Sequence, residues 1–235
     1  MAQNSSRYFP RNPPVHPQAF IFDLDGTLVD NMSVHQQAFD RFAERHGLPP
    51  ISPELRRRLD GKRNRDIFPI LFQRSLSEPE QRRFSVEKET LYRQLSVGRL
   101  APMAGLEELL QALKKKGLPS AIATSAPAPN VPHTLAEIGL PEAFPLVVRG
   151  DQVPRGKPHP DIFLEAARQL GASPSHCLAF EDALMGLEAA KAAGMPCIAM
   201  TTSQEREVWL DHGQADFVAR DFHDFLAGPG AWLRD

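Results

Sequence analysis

Short runs of apolar residues alternate with helical segments over most of this chain. The first run, Ala19-Phe20-Ile21-Phe22, is followed at once by the polar stretch Asp23-Leu24-Asp25-Gly26-Thr27. Four more apolar runs lie beyond residue 117, and each is preceded by a segment with helical spacing that ends in glycine. Wholly apolar strands separated by such helices are typical of a parallel sheet that is covered on both faces. The pattern therefore predicts a doubly wound, mainly parallel α/β fold.

The strands and helices of this predicted sheet follow from the same spacing. The strands are expected at 19–22, 120–124, 146–148, 177–180 and 197–200, with a late edge strand at Phe217-Val218. The helices between them are expected at 106–116, 131–138, 160–170 and 183–193.

The segment from residue 32 to residue 100 has a different pattern, helical and charged, without a convincing strand. Helices are expected at 33–46, 53–59, 64–73 and 78–95, the first with Ser33 as its N-cap and Gly47 beyond its end. Residues 18–31 and 101–235 would then form one α/β core, and 32–100 an all-helical insertion. The first 17 residues are rich in Pro, Asn and Ser and are expected to be a flexible leader.

Composition narrows the range of partners. The chain has 235 residues, 42% of them hydrophobic, and a formal net charge of −2, which gives no indication of nucleic-acid or acidic-lipid binding. Its two cysteines, Cys177 and Cys197, do not suggest a disulfide framework. The chain has no apolar run long enough to span a bilayer and no apolar secretory region near its start. We expect a cytoplasmic protein, a monomer or weak dimer, that binds neither nucleic acid nor membrane.

The polar residues of the core fall at the carboxyl ends of the predicted strands. In doubly wound sheets, ligands bind beyond that edge. The residues that the strand ends bring there are Asp23, Asp25, Thr124, Ser125, Glu181 and Asp182, and Lys157 lies just before a helix of the same core. Each has a simpler explanation when taken alone: a turn, a helix cap or a solvated loop lysine. Their shared position at one edge is what predicts a site.

These residue types suit phosphoryl transfer. Clustered carboxylates bind Mg²⁺, a lysine neutralises phosphate, and a threonine at a strand end donates to phosphate oxygens. The chain has no Gly-x-x-x-x-Gly-Lys loop of the kind that holds a nucleoside triphosphate. An aspartate beside a cation and a lysine can act instead as a nucleophile and form an aspartyl-phosphate, while a second aspartate transfers the proton.

The order of the motifs DLDGT, ATS, GKPHPDIF and FEDALMG resembles that of the haloacid dehalogenase (HAD) superfamily, in the branch with an α-helical cap. The resemblance covers about residues 18–222 and implies a Rossmann-like core. It implies that Asp23 is the nucleophile and Asp25 the general acid and base. Thr124, Ser125 and Lys157 would bind phosphate. A Mg²⁺ ion would be held by Asp23, the backbone carbonyl of Asp25, and Asp182, with help from Glu181.

Within this superfamily, Asp25 argues against a dehalogenase or a phosphonatase, because true dehalogenases lack an aspartate there. His35 resembles a residue of the β-phosphoglucomutase-like branch, where it assists the acid/base. The polar residues that grip a second phosphate in that branch are replaced here by Ala126-Pro127-Ala128. We therefore expect a phosphatase that acts on a small phosphorylated metabolite, a sugar phosphate in particular. A mutase is the alternative, and a phosphate-sensing or partner-binding protein is the second. In the cap, Lys62 and Arg65 are expected to meet the anionic substrate.

Overall fold

The structure, a computed structural model, describes residues 16–234. Almost all of the expected leader, residues 1–17, lies outside the described residues.

A six-stranded parallel sheet forms the centre of the molecule. Its strands are β1 (Ala19–Phe22), β2 (Ser120–Thr124), β3 (Val147–Arg149), β4 (Cys177–Glu181), β5 (Cys197–Met200) and β6 (Phe217–Ala219). They are arranged in the order β3-β2-β1-β4-β5-β6. The two halves of the sheet run in opposite directions from β1, which is the arrangement of a doubly wound fold. The predicted α/β class is confirmed, and Phe217-Val218 belongs to the edge strand as expected.

Ten α-helices occur in the described part of the chain. They are α1 (Met32–Arg45), α2 (Pro53–Leu59), α3 (Asn64–Leu71), α4 (Glu78–Ser96), α5 (Leu106–Lys115), α6 (Asn130–Glu137), α7 (Asp161–Leu170), α8 (Leu184–Ala192), α9 (Arg206–His212) and α10 (Phe222–Ala227). The short helices α9 and α10 were not predicted. Three-residue 3₁₀ helices occur at Gly150–Gln152, Pro174–His176 and Ala231–Leu233.

Alternating side chains of the strands bury two separate cores. Phe20, Phe22 and Phe180 face one side of the sheet, where α5, α6 and α10 cover them. Ile21 and Ala179 face the other side, beneath α7, α8 and α9. This alternation is the period of two that a strand imposes on its side chains. The result is a three-layer sandwich whose strands are buried on both faces.

Helices α1 to α4 pack around a third apolar cluster of their own. Its centre is aromatic, with Phe42 in contact with Phe68 and Phe84, and Tyr92 fully buried nearby. This helical region lies over the carboxyl end of the sheet. The division of the chain at residues 32 and 100 stays a prediction.

The start of α1 differs from the sequence prediction. Ser33 is exposed inside the first turn, and Asn31 occupies the N-cap position without capping the helix by its side chain. The Asn31 amide is engaged elsewhere, since it accepts from the Gly26 backbone N–H and donates to Asp25 and Tyr92. The helix therefore begins one residue early, where a polar side chain serves the site instead of the helix end.

The cysteines are both free and buried. Cys177 opens β4 and Cys197 opens β5, but the strand register places Cys197 beside Ala179. None of the helices in the described part of the chain is long and apolar enough to cross a membrane.

Candidate active site

Three neighbouring strands deliver polar residues to one edge of the sheet. Asp23 follows β1 directly, and its backbone N–H donates to the carbonyl of Phe180 in β4 at 3.0 Å. Thr124 is the last residue of β2, and Glu181 is the last of β4. Because the strands are parallel and in register, these side chains emerge side by side. The edge predicted from the strand ends is the one on which they meet.

Lys157 joins this cluster from the loop before α7. Its ammonium lies 2.5 Å from Asp23 Oδ1 and 2.5 Å from Glu181 Oε1, and it donates to the Ala123 carbonyl at 3.2 Å. The lysine is 3% exposed, so these partners replace water around its charge. Asp23, Glu181 and Asp182 each place one carboxylate oxygen within 4.8 Å of those of the other two. The structure thus brings together four of the residues that the sequence singled out.

The cluster carries more negative than positive charge. Burial raises the pKa of Asp23 to about 8 because it outweighs the opposing effect of Lys157, and the Glu181 carboxylate adds a smaller rise. Burial and the nearby Asp23 and Glu181 carboxylates also raise the pKa of Asp182 well above its usual range. These raised pKa values disfavour the ionised forms, since with all three carboxylates ionised the cluster would exceed its one ammonium by two negative charges. A divalent cation would balance them, and oxygen ligands are those that Mg²⁺ prefers, so the residues fit such an ion.

Two glycines make room for the acids. A Cβ on Gly26 would lie 2.0 Å from Asp182 Oδ2, and one on Gly186 would lie 2.0 Å from the carboxyl carbon of Glu181. Beyond β5, Ser203 donates a hydrogen bond to Asp182 and Thr202 donates one to the Gly26 carbonyl. The sequence analysis missed both hydroxyl residues. Their signal was their position directly after an apolar strand that ends at the same edge.

Asp25 has different surroundings, which α1 supplies. Its Oδ1 accepts from Asn31 Nδ2 at 2.7 Å and lies 3.5 Å from Nε2 of His35. Burial raises the pKa of Asp25, but His35 and Asn31 outweigh that effect and the pKa is lowered overall. His35, predicted to assist this residue, thus lies beside it. The Asp25 side chain is 17% exposed and faces the space between the sheet edge and the helical region.

A cleft separates the sheet edge from helices α1 to α4. Asp23, Asp25 and Asp182 form its floor with Thr124 and Ser125. The helical region contributes a mixed roof, comprising Met32, His35, Phe39, Arg56, Leu59, Asp60, Gly61, Lys62, Asn64, Ile67, Lys88 and Glu89.

The predicted binding residues differ in where they lie. Thr124 is buried, and its Oγ1 accepts from the Ala126 N–H at 3.0 Å. Ser125 Oγ donates to the Gly61 carbonyl at 2.7 Å, so it contacts the helical region. Lys62 lines the cleft, with its ammonium 3.5 Å from Met185 Sδ.

Arg65 is the exception among the predicted binding residues. It is exposed and lies outside the cleft, beside a groove between α3 and α4. The reason is helical geometry, because Asn64 at the start of α3 faces the cleft and each further residue turns about 100° around the axis. The expectation that Arg65 meets the substrate is therefore not supported by its position.

A buried polar group in the roof was missed by sequence analysis. Lys88 is 2% exposed, and its ammonium lies 2.9 Å from His35 Nδ1 and 3.0 Å from Glu89 Oε1. Glu89 also accepts from Asn64 at 2.7 Å and from Asn130 of α6 at 2.6 Å. The available signal was spacing, since Lys88 lies four residues after Phe84 and four before Tyr92, on the buried face of α4.

Comparison with known proteins agrees with this geometry. The sequence model of haloacid dehalogenase-like hydrolases matches residues 17–194. Over 182 residues the chain is 35% identical to a phosphorylated carbohydrates phosphatase from Thermotoga maritima, covering 76% of this chain and 82% of the relative. Over 197 residues it is 32% identical to a beta-phosphoglucomutase from Bacillus subtilis, covering 80% of this chain and 84% of the relative.

Solved structures give the same result. A HAD hydrolase of family IA, variant 3, from Entamoeba histolytica has a TM-score of 0.81 at 28% identity, covering 93% of this chain and 100% of that chain. The resemblance drawn from the four motifs is therefore confirmed, together with the Rossmann-like core. Phosphatases of this family generally use a divalent metal, and a buried acid cluster is present here. The chain belongs to the haloacid dehalogenase-like hydrolase family.

Proposed function

We propose that this protein is a Mg²⁺-dependent phosphatase that hydrolyses a small phosphorylated metabolite, a sugar phosphate in particular, through an aspartyl-phosphate on Asp23. The observation that carries the proposal is the buried cluster in which Asp23 contacts Lys157 at 2.5 Å, beside Glu181 and Asp182, at the floor of the cleft. A nucleophilic carboxylate, a phosphate-binding ammonium and a cation site converge there.

In the first step, an Asp23 oxygen attacks phosphorus, and the bond from phosphorus to the leaving oxygen breaks. Lys157, with Thr124, stabilises the negative charge of the transferring group. The leaving alkoxide takes a proton from Asp25. The pKa of Asp25 is low in the substrate-free structure, but a phosphate dianion beside it raises that pKa and favours the protonated form.

In the second step, Asp25 acts as a base. It removes a proton from water, the hydroxide attacks phosphorus, and the bond to Asp23 breaks, so that inorganic phosphate leaves, Asp23 is a carboxylate again and Asp25 carries its proton again. His35 and Asn31 stabilise the carboxylate form that this step requires. A Mg²⁺ ion held by Asp23, Asp182 and the Asp25 carbonyl, with Glu181 nearby, would supply charge that offsets the repulsion between the carboxylate and the phosphate.

The substrate class rests on the cleft and on the relatives. The roof of the cleft offers an amide and charged groups that can bind the hydroxyls of a small polar molecule. One relative is a phosphatase of phosphorylated carbohydrates. We also propose that the protein acts in the cytoplasm as a monomer or weak dimer, without a nucleic-acid or membrane partner, in keeping with its net charge of −2.

Phosphate release from a panel of sugar and polyol monophosphates, with Mg²⁺ and with EDTA, tests the proposal. The wild-type protein should release phosphate only with the cation, and Asp23→Asn should release none while keeping its circular dichroism spectrum. Turnover by Asp23→Asn at an appreciable fraction of the wild-type rate would remove Asp23 as the nucleophile. Failure of the wild-type protein on every panel member would favour the phosphate-sensing or partner-binding alternative.

A mutase is the second candidate, favoured by the position of His35 beside Asp25 and by the similarity to a beta-phosphoglucomutase. Against it, the wall of the cleft beyond Ser125 is formed by Ala126 and Pro127, which offer no side-chain donor to a second phosphate. Incubation with β-glucose 1-phosphate and a bisphosphate primer separates the two. Accumulation of glucose 6-phosphate in place of free phosphate would establish the mutase.

A further inference from the structure

Arg63 connects the helical region to the core loop that carries Lys157. Its Nη1 donates to the carbonyls of Gly150 at 3.1 Å and Val153 at 3.4 Å, both in the segment after β3. The Arg63 side chain is 12% exposed, although it belongs to a different region of the chain from its acceptors.

Two glycines shape a slot for this side chain. A Cβ on Gly150 would lie 2.9 Å from Arg63 Cδ, and a Cβ on Gly156 would lie 2.6 Å from Arg63 Nε. Any other residue at either position would push the arginine out. Gly156 directly precedes Lys157, so the slot and the phosphate-binding lysine belong to one loop.

The position of Arg63 has no local explanation in its own helix. Arg63 is the N-cap of α3, where an oxygen-bearing side chain is favoured because it accepts from the free N–H groups of the first turn. An arginine has no acceptor and cannot cap. Instead, Asp66 in the first turn accepts from Arg63 Nε at 2.7 Å and holds the guanidinium toward the core. A residue that breaks a local rule in this way is expected to serve a function elsewhere in the structure.

We propose that Arg63 is a positioning residue that latches the helical cap onto the core and sets the loop of Lys157 for catalysis. This proposal rests on the proposed phosphatase function. When the cap is closed, Arg63 enters the slot between Gly150 and Gly156, and Ser125 Oγ binds the Gly61 carbonyl two residues away. Closure then excludes water from the cleft and fixes the loop whose ammonium contacts Asp23.

Arg63→Ala tests the latch, with Arg58→Ala as the matched control, because Arg58 is an exposed arginine of the same region. With 4-nitrophenyl phosphate and Mg²⁺, kcat/KM of Arg63→Ala should fall about 10- to 100-fold, as expected when catalytic groups are slightly misplaced. The radius of gyration from small-angle X-ray scattering should increase as the cap opens. Arg58→Ala should match the wild type in both measurements.

Gly150→Ala keeps the proposal testable if Arg63→Ala does not fold. Gly150 does not have a positive φ, so alanine strains no backbone there, and its Cβ meets Arg63 and, at an ordinary 3.5 Å, Ser125 Cα. The substitution should expel Arg63 and reproduce both effects. In the Arg63→Ala background the new Cβ has room, so Gly150→Ala should cause almost no further loss.

The outcomes separate the latch from the proposed function. A wild-type radius of gyration in both variants, together with kcat/KM within twofold of the wild type, would overturn the latch. Additive losses in the double variant would overturn it too, because the two residues would then act independently. If the wild-type protein hydrolyses no phosphomonoester, the phosphatase proposal fails, but the scattering measurement still decides whether Arg63 holds the cap.

Discussion

Asp23 and Asp25 are two residues apart, yet each takes its partners from a different part of the molecule. The partners of Asp23 come from the core, with Lys157 in contact and Glu181 nearby, and burial raises its pKa to about 8. The partners of Asp25 come from the start of the helical region, where His35 and Asn31 outweigh burial and lower its pKa. Two identical side chains thus receive opposite shifts from their surroundings.

This difference separates cation and phosphate binding, on the side of Asp23, from proton transfer, on the side of Asp25. On the core side, burial and neighbouring carboxylates raise the pKa values of Asp23 and Asp182, and a bound cation would stabilise their ionised forms, so this side is suited to bind metal and phosphate. On the side of the helical region, the buried charges already compensate each other, because Lys88 and Glu89 form an ion pair at 3.0 Å beside His35. A group surrounded in that way stays in place while its proton moves, which is the property that a general acid and base requires.

The largest expected effect comes from exchanging each aspartate for asparagine. Asp23→Asn should lower kcat by about 10⁴-fold or more, since no nucleophile remains. Asp25→Asn should lower it by about 10²- to 10⁴-fold, the contribution of acid–base catalysis. With 4-nitrophenyl phosphate, whose leaving group needs no proton, Asp25→Asn should still release one equivalent of nitrophenolate rapidly and then stall as a phosphoenzyme.

Stopped-flow absorbance measures that burst. Its absence in Asp25→Asn, or its presence in Asp23→Asn, would contradict the assignment of the two roles.

The next largest effect is on stability and concerns the cap side. Glu89→Gln removes the charge that compensates buried Lys88, and breaking a buried pair costs about 3–5 kcal/mol of unfolding free energy. Glu78→Gln is the matched control, because Glu78 pairs with Arg82 on the surface, where an ion pair contributes little. Urea denaturation followed by circular dichroism compares the two. Equal urea midpoints for the two variants would show that Glu89 does not compensate the charge of buried Lys88.

The residues around Asp23 could be predicted from the sequence, and most of the residues around Asp25 could not. Parallel strands in register place their carboxyl ends together, so Asp23, Glu181 and the residues around them follow from where each apolar run stops. Lys157 was predicted with them because it lies just before a helix of the same core, and in the structure that helix, α7, packs on β1 and β2.

The cap residues depend on how helices pack against one another. The face of α4 that reaches His35 is set by its contact with α1, and Asn130 reaches Glu89 from the core, so no single segment reveals the network. Arg65 was predicted to face the substrate for the same reason, because the sequence does not show which way a helical side chain points. It lies one residue beyond Asn64 and is turned away from the cleft. Helix α2 has seven residues and was predicted, and it begins with an N-cap serine followed by proline, whereas α9, of the same length, begins after Glu205 without a side-chain cap and was not predicted.

A moderate effect is expected from the cation itself. At a free Mg²⁺ concentration 100-fold above its Kd, binding to the folded state stabilises the wild-type protein by about 2.7 kcal/mol, a rise in Tm of about 5–10 °C. Asp182→Asn should lose most of that rise. Without the cation its Tm should not be lower than that of the wild type, because burial and two neighbouring carboxylates already disfavour the charged form of Asp182.

Differential scanning fluorimetry after treatment with EDTA makes this comparison. An equal Mg²⁺-dependent rise in both proteins would place the cation elsewhere.

The smallest expected effect is on stability, and contact with Glu181 decides whether Gly186→Ala stabilises or destabilises the protein. In most helices glycine to alanine is favourable by about 1 kcal/mol, and Gly186 lies inside α8. Here, however, the added Cβ would lie 2.0 Å from the Glu181 carboxyl carbon, so Gly186→Ala should displace Glu181 from Lys157 and cost about 1–3 kcal/mol. The glycine is then part of the acid site, although it carries no functional group.

A second substitution, Glu181→Ala, tests whether Glu181 causes the effect of Gly186→Ala. With Glu181→Ala the obstructing carboxylate is gone, so adding Gly186→Ala should recover the ordinary helix preference and raise stability by up to about 1 kcal/mol. Thermal denaturation of the two single variants and the double variant gives the coupling. If Gly186→Ala changes stability in the same direction with and without the Glu181 side chain, then Glu181 does not pack against Gly186. The tight packing described for the acid cluster would then be wrong.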